Sequence, residues 1–215
     1  MVKLKLKILD LKCGNINSVL NIFNFLGCDV EIINNLKKID EASGLIIPGN
    51  GNYDHVSKEI RKLDINRLFD YVLDKQKPTL GICIGLQLFF SRGFENNTIS
   101  NGLNFFEGDI IKLKNQLNKK NIDFSLPHIG WNNIKIKKNS NLLKDIKDNE
   151  SFYFLHSYAC TNISSEFCVA KTSYGNEFVA IMEKKNIVGL QFHPEKSHDN
   201  GVKILKNWIE NYVKD

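Results

Sequence analysis

The chain has 215 residues, 42% hydrophobic and 25% charged. These are the proportions of a folded globular domain rather than a disordered or fibrous chain, and no apolar run approaches the ~20 residues that a bilayer span requires. The net charge is +5, but the only arginines are Arg61, Arg67 and Arg92. With so few of the planar forks that grip phosphates and base edges, nucleic acid is not an expected partner, and the lysines read as a solvated surface.

The N-terminus alternates lysine with apolar residues, which is not the uninterrupted apolar core of a signal peptide. Leu4 to Leu9 reads as a first strand with one solvated edge. After Asn15, the residues Val19, Ile22, Phe23 and Leu26 share one helix face, and Gly27 is a helix stop. Cys28 to Ile33 and Gly44 to Ile47 are the next strands; the second ends in Pro48-Gly49-Asn50-Gly51. Helical material is expected from about Tyr53 to Lys75, followed by a buried strand, Thr79 to Ile82. This β-α-β-α-β order predicts a mostly parallel sheet flanked by helices. In the second half, strands are expected over Phe105–Lys112, Asn133–Lys137, Phe152–Tyr158, Glu166–Thr172, Phe178–Glu183 and Ile187–Phe192, some forming an antiparallel extension. A helix from about Gly201 to Val213 closes the chain. No repeat or linker divides it, so residues 1–215 are expected to form a single domain.

Five cysteines, an odd number with no CxxC pair, point to reduced thiols and a cytoplasmic location. Metal-ligand spacing is absent, and neither a metal nor another cofactor is expected.

Gly81-Ile82-Cys83-Ile84-Gly85 stands where a strand ends and a helix begins, the setting of a nucleophile elbow. Such a turn puts the sulfur at the carboxyl end of the sheet and at a helix N-terminus, where the dipole favours thiolate. A thiolate nucleophile needs an acid/base. Of the five histidines, His193 stands in a suggestive run, Gln191-Phe192-His193-Pro194-Glu195. Pro194 biases His193 toward an extended conformation. Glu195, two residues on, then points to the same side and can orient the imidazole, the logic of a catalytic triad. The loop Gly49-Asn50-Gly51 follows another strand, so its backbone N–H groups, with that of Ile84, can form an oxyanion hole.

Taken together, these residues resemble the class I glutamine amidotransferases over essentially the whole chain. Within that class the sequence looks most like the glutaminase subunits of imidazole glycerol phosphate synthase. Pro127-His128-Ile129-Gly130-Trp131-Asn132 is similar to their PHMGWN segment, Tyr153 to Tyr158 to YFVHSY, and Gln191 to Ser197 to QFHPEKS. The resemblance implies a flavodoxin-like fold, a triad of Cys83, His193 and Glu195, and a glutamine pocket. Gly49, Asn50, Gly51, Ile84, Gln87, Glu95, His156, Ser157 and Tyr158 would line that pocket, His156 to Tyr158 largely through backbone. It further implies that Gly14, Asn15 and Lys196 face a (β/α)8-barrel cyclase subunit that receives the ammonia. Two positions depart from the family pattern. Asn50 stands where PGVG has valine, and Lys12-Cys13-Gly14-Asn15 stands where GMGN is usual. They leave open a paralogue that feeds a different synthase; a non-catalytic regulatory subunit is disfavoured because all three triad positions are filled.

Overall fold

The computed structural model describes residues 4–113 and 125–214; Met1, Val2 and Lys3 of the N-terminal stretch lie outside the described residues. The first half follows the expected order: β1 (Lys5–Leu9), α1 (Ile16–Phe25), β2 (Asp29–Ile33), β3 (Gly44–Ile47), α2 (Tyr53–Arg61), α3 (Ile65–Phe69) and β4 (Thr79–Ile82). The helix starts are capped by short polar side chains. Asn15 accepts from Ser18 N, Asn52 from His55 N and Asp64 from Arg67 N, each satisfying a backbone donor that the helix leaves unpaired. Gly27, at φ 82°, follows the end of α1.

Two expectations are corrected here. The helical stretch from Tyr53 to Lys75 is not continuous, because the Asp64 carboxylate caps a new start, and a wider π turn spans Asp70–Asp74. Strand β1 has no solvated edge: it lies between β2 and β3, parallel to both. Its Lys7 is only 2% exposed, with Nζ donating to Lys38 O at 2.6 Å and lying 3.3 Å from Glu31 and 3.6 Å from Glu41. A buried ammonium needs such partners, and the long side chain reaches them across the top of β2, the true edge.

After β4 come α4 (Ile84–Leu88), β5 (Phe90–Glu95), β6 (Thr98–Asn101), β7 (Phe106–Lys112), β8 (His128–Asn133), β9 (Lys135–Ile136), β10 (Ser151–His156), β11 (Tyr158–Cys160), β12 (Cys168–Tyr174), β13 (Asn176–Lys184), β14 (Ile187–Leu190) and α5 (His198–Trp208). The β5–β6 hairpin is not among the strands expected from the sequence. It follows directly on α4, where Phe89 and Phe90 are fully buried, against Phe105 and Phe106 at 5.4 and 6.1 Å between ring centroids. The expected strand Phe152–Tyr158 divides at Ser157, β10 pairing with β8 and β11 with β7 in another sheet. The expected strand Asn133–Lys137 likewise divides into β8 and β9.

The main sheet has eight strands in the order β2-β1-β3-β4-β14-β13-β12-β9. The first five are mutually parallel, and β13, β12 and β9 continue antiparallel. Smaller sheets of four (β11-β7-β5-β6) and two strands (β10-β8) complete the extension. Alternate side chains of the parallel strands feed two cores. Ile8, Ile46, Leu80 and Ile82 pack with α1 and α5 on one face, and Leu45 and Ile47 pack with α2 and α4 on the other. Each buried side chain of this kind contributes about 1.5–3 kcal/mol of transfer free energy. The carboxyl ends of β1, β3, β4 and β14 all face one end of the sheet. Among the described residues, no helix is long and apolar enough to cross a membrane.

Candidate active site

Cys83 sits directly after β4 and opens α4 with φ 53° and ψ −106°, a conformation that costs a non-glycine residue about 1–3 kcal/mol and persists only where its surroundings enforce it. The enforcement comes from close packing around the turn. A Cβ on Gly85 would lie 1.7 Å from the Ile47 carbonyl oxygen, and one on Gly81 would lie 2.7 Å from the Gly85 carbonyl carbon. Only glycine lets α4 start so close to β3. The Cys83 backbone is tied to the neighbouring strand by its N–H donating to Leu190 O at 2.7 Å.

That neighbour, β14, carries the chain to His193. The His193 ring is buried, and Nδ1 lies 2.7 Å from Glu195 Oε1, both side chains being 5% exposed. A carboxylate only accepts, so Nδ1–H donates. Nε2 is buried, has no oxygen or nitrogen partner, and faces the Cys83 sulfur. Desolvation, the largest influence on His193, opposes the imidazolium. The Cys83 thiolate charge, its hydrogen bond and Glu195 together outweigh it and hold the proton affinity above the ordinary value. The geometry behind the His-x-Glu pair differs from the extended chain expected: Pro194–Lys196 is a 3-10 turn. Ser197 closes that turn, its hydroxyl donating to His193 O at 2.7 Å and accepting from Tyr153 N at 3.0 Å.

Burial pushes Cys13 up to about 11 and Cys160 up to about 12, and raises Cys28 and Cys168 as well.

Beside the sulfur lies a cavity of about 180 Å³, lined by Asn50, Gly51, Cys83, Ile84, Gln87, Glu95, Pro127, Leu155, His156, Ser157 and Tyr158. Every residue expected in the glutamine pocket is there except Gly49. Gly49 lines an adjoining cleft with Cys13, Asn15, His193, Glu195 and Lys196, and Asn50 borders both. Glu95 is anchored by accepting from Tyr53 N at 2.5 Å, at the start of α2. Gln87 is engaged internally, its Nε2 donating to Tyr158 O at 2.7 Å and to Gln191 Oε1 at 3.2 Å. His156 contributes more than backbone: its ring is buried against His128, with Nδ1 2.9 Å from Tyr158 O.

The loops after β1 and β3 meet where the strand order reverses, the usual crevice of open α/β sheets. Gly14, at φ 75°, presses on the second loop so closely that a Cβ there would lie 2.7 Å from Asn50 N. A Cβ on Gly49 would lie 2.6 Å from the Cys13 sulfur. Lys196 is exposed, with Nζ 5.9 Å from the Tyr153 ring centre.

Four residues at or beside the cavity were given no role in the sequence reading: Pro127 and Leu155, which line it, and Gln191 and His128. Gln191 is fully buried, with Nε2 3.7 Å from Cys83 Sγ. The signal was its position two residues before His193. His128 stood in the Pro127–Asn132 segment, but its pairing with His156, 28 residues away, gave no local signal.

The sequence profile "Glutamine amidotransferase class-I" matches residues 7–211. "Imidazole glycerol phosphate synthase subunit HisH 1" of Campylobacter jejuni (strain RM1221) is 40% identical, the match covering 94% of this chain and 98% of that one. The corresponding HisH subunit of Pelagibacter ubique (strain HTCC1062) is 38% identical over 94% and 97% of the two chains. A solved structure, a glutamine amidotransferase from Thermotoga maritima, superposes with a TM-score of 0.64 at 16% identity, covering 100% of this chain and 84% of that one, a likeness of fold. With an elbow cysteine, a buried His–Glu pair and a profile match over nearly its whole length, the chain belongs to the class I glutamine amidotransferase family.

Proposed function

We propose that this chain is the glutaminase subunit of an imidazole glycerol phosphate synthase, hydrolysing glutamine to glutamate and ammonia. The observation that carries the chemistry is the buried line from Glu195 through His193 to the Cys83 sulfur, beside a cavity with room for a small ligand. The choice of synthase is supported by the relatives' identities of 38–40% over nearly full length.

The Cys83 thiolate attacks the side-chain carboxamide carbon of glutamine. The resulting oxyanion is met by backbone N–H groups of Ile84 and the Gly49–Gly51 loop. The C–N bond then breaks, with His193 giving its Nε2 proton to the departing nitrogen, so that ammonia leaves and a glutamyl thioester remains. Water attacks the thioester and His193 takes one of its protons; the C–S bond breaks, glutamate leaves and the thiolate is restored. Glu195 keeps the imidazole in the Nδ1–H tautomer throughout. Glu95 faces the glutamine α-amino group, the cavity's own carboxylate for a cation.

The ammonia passes to a (β/α)8-barrel cyclase subunit docked over the site. An exposed apolar rim beside the active-site end supports this docking: Trp131 and Ile129 are 48% and 58% exposed. Phe25, Lys196 and His198 share one cleft, and Trp131 stacks on His198 at 5.1 Å. Such clustered apolar exposure marks protein contacts. Gly14, Asn15 and Lys196 border the same end. The five thiols are free, in keeping with a reducing cytoplasm.

In the reconstituted complex, Cys83→Ala should abolish synthesis from glutamine and preserve synthesis from added ammonium salt. Loss of both would assign Cys83 a structural role instead. A second reading keeps the chemistry and changes the recipient, motivated by Cys13 and Asn50, which share a cleft with Lys196. Co-purification with a cyclase, against a different synthase, decides between them.

A further inference from the structure

Two buried histidines and two buried glutamines run as one hydrogen-bonded chain from β8 to the Cys83 sulfur. Its polarity follows from one group that can only accept, the Tyr158 carbonyl. His156 Nδ1 lies 2.9 Å from that oxygen and so carries the proton. If the ring is neutral, its Nε2 is an acceptor, and His128 Nδ1, 3.3 Å away, must donate to it. His128 Nε2 is then the acceptor for Asn132 Nδ2 at 3.3 Å, whose other N–H goes to Ser173 O at 2.9 Å. Neutrality is what the surroundings favour. Burial pulls His128 down to about 4, and burial with the His128 neighbour pulls His156 down to about 3. The rings are also clamped. His128 is stacked between Phe154 and Tyr174 at 5.0 and 4.0 Å, and His156 meets the edge of Phe178 at 4.9 Å.

On the other side of the same carbonyl, Gln87 must present its amide nitrogen, 2.7 Å from Tyr158 O. The second N–H of that nitrogen goes to Gln191 Oε1 at 3.2 Å. With its oxygen so placed, Gln191 turns its own nitrogen to the Cys83 sulfur, 3.7 Å away. Amide orientations are normally ambiguous; here the carbonyl of Tyr158 resolves both.

We propose that the Gln191 amide is a catalytic hydrogen-bond donor to the Cys83 thiolate, and that Gln87 and the neutral His128–His156 pair are positioning residues that hold it in that orientation through Tyr158 O. This rests on Cys83 being the nucleophile. A buried amide donor stabilises the anion without supplying a competing charge or proton. The titratable groups around the sulfur are His193 with Glu195 behind it, Cys13 on the β1 loop, Glu95 across the cavity and His156 beneath. None of these is altered by replacing Gln191.

The test is the rate of Cys83 alkylation by iodoacetamide in the full-length chain, followed by peptide mass spectrometry from about pH 5 to pH 9. In Gln191→Met, a close match in volume, the acid limb of the profile should move up by about one pH unit, a roughly tenfold slower reaction on the acid side. A profile superimposable on that of the wild type, in a variant with an unchanged thermal transition, overturns the proposal. A wild-type Cys83 no more reactive than Cys13 overturns the nucleophile reading instead, and the proposal with it. Should Gln191→Met fail to fold, 15N spectra of the histidine rings in the unmodified protein test the same chain. Both His128 and His156 should be Nδ1–H tautomers that do not titrate between about pH 5 and pH 8. An Nε2–H tautomer, or a titration in that range, overturns the assigned polarity.

Discussion

In the proposed mechanism Glu195 acts on glutamine only through His193, and its two properties, charge and acceptor-only chemistry, are separable by mutation. Glu195→Gln keeps the shape but can donate to Nδ1, turning the imidazole into the wrong tautomer. The expected result is a loss in kcat of about 10²- to 10⁴-fold with little change in KM, measured as glutamine turnover in the complex with the cyclase. The three buried histidines have opposite pH signatures. His193 binds its proton more tightly folded than unfolded. Its contribution to stability is therefore full below the ordinary histidine value and is lost as pH rises through the folded value. His128 and His156 bind protons more weakly folded, near 4 and 3. Their contribution is present above about pH 6.5 and is lost as pH falls toward those values, at up to about 1.4 kcal/mol per pH unit for each ring. His128→Phe keeps the stacked ring and removes one of the two protons taken up on unfolding. The pH dependence of its chemical unfolding should be shallower than that of the wild type between about pH 6.5 and 4. Parallel curves would contradict the assignment of His128 as buried and neutral.

At the scale of elements, the elbow shows how a turn is imposed. The strained Cys83 backbone is stabilised by nothing local; what holds it is β3 on one side and β14 on the other, through the contact of Gly85 with Ile47 O and the Cys83 N–H bond to Leu190 O. Gly85→Ala drives a methyl into a backbone carbonyl that belongs to a central strand and cannot yield cheaply. It should destabilise the fold by about 1–3 kcal/mol or more, read from denaturant midpoints, and should displace Cys83, so that its alkylation slows as well. The end of α4 is likewise set by tertiary packing: it stops at Leu88, and the next two phenylalanines enter the core beside Phe105 and Phe106. Lys7 is the converse case, a residue whose charge implied solvent but whose long side chain finds Lys38 O, Glu31 and Glu41 over a covered strand.

At the scale of the whole molecule, Cys83, His193, Glu195 and the cavity beside them lie at one end of the main sheet, and exposed Trp131, stacked on His198, and Ile129 lie near it. Trp131→Ala should weaken cyclase binding by about 2 kcal/mol, roughly thirtyfold in Kd, in a titration of the two subunits; unchanged affinity would move the docking face elsewhere. The chain determines much of this by itself. Strand–helix alternation with Gly-x-Cys-x-Gly at a strand end places the nucleophile, because sheet handedness and parallel order leave few other arrangements. His193 and Glu195 are legible because two residues in one turn need no distant partner to meet. Tertiary structure alone decided what depends on residues far apart in the chain. It brought His128 to His156, turned Gln191 toward Cys83 through Gln87 and Tyr158, split the strand at Ser157 between two sheets, and set Gly49 in the cleft beside the glutamine pocket. The physical reason is that a buried amide or imidazole takes its orientation from whichever acceptor it meets in the folded core, and that acceptor is not written near it in the sequence.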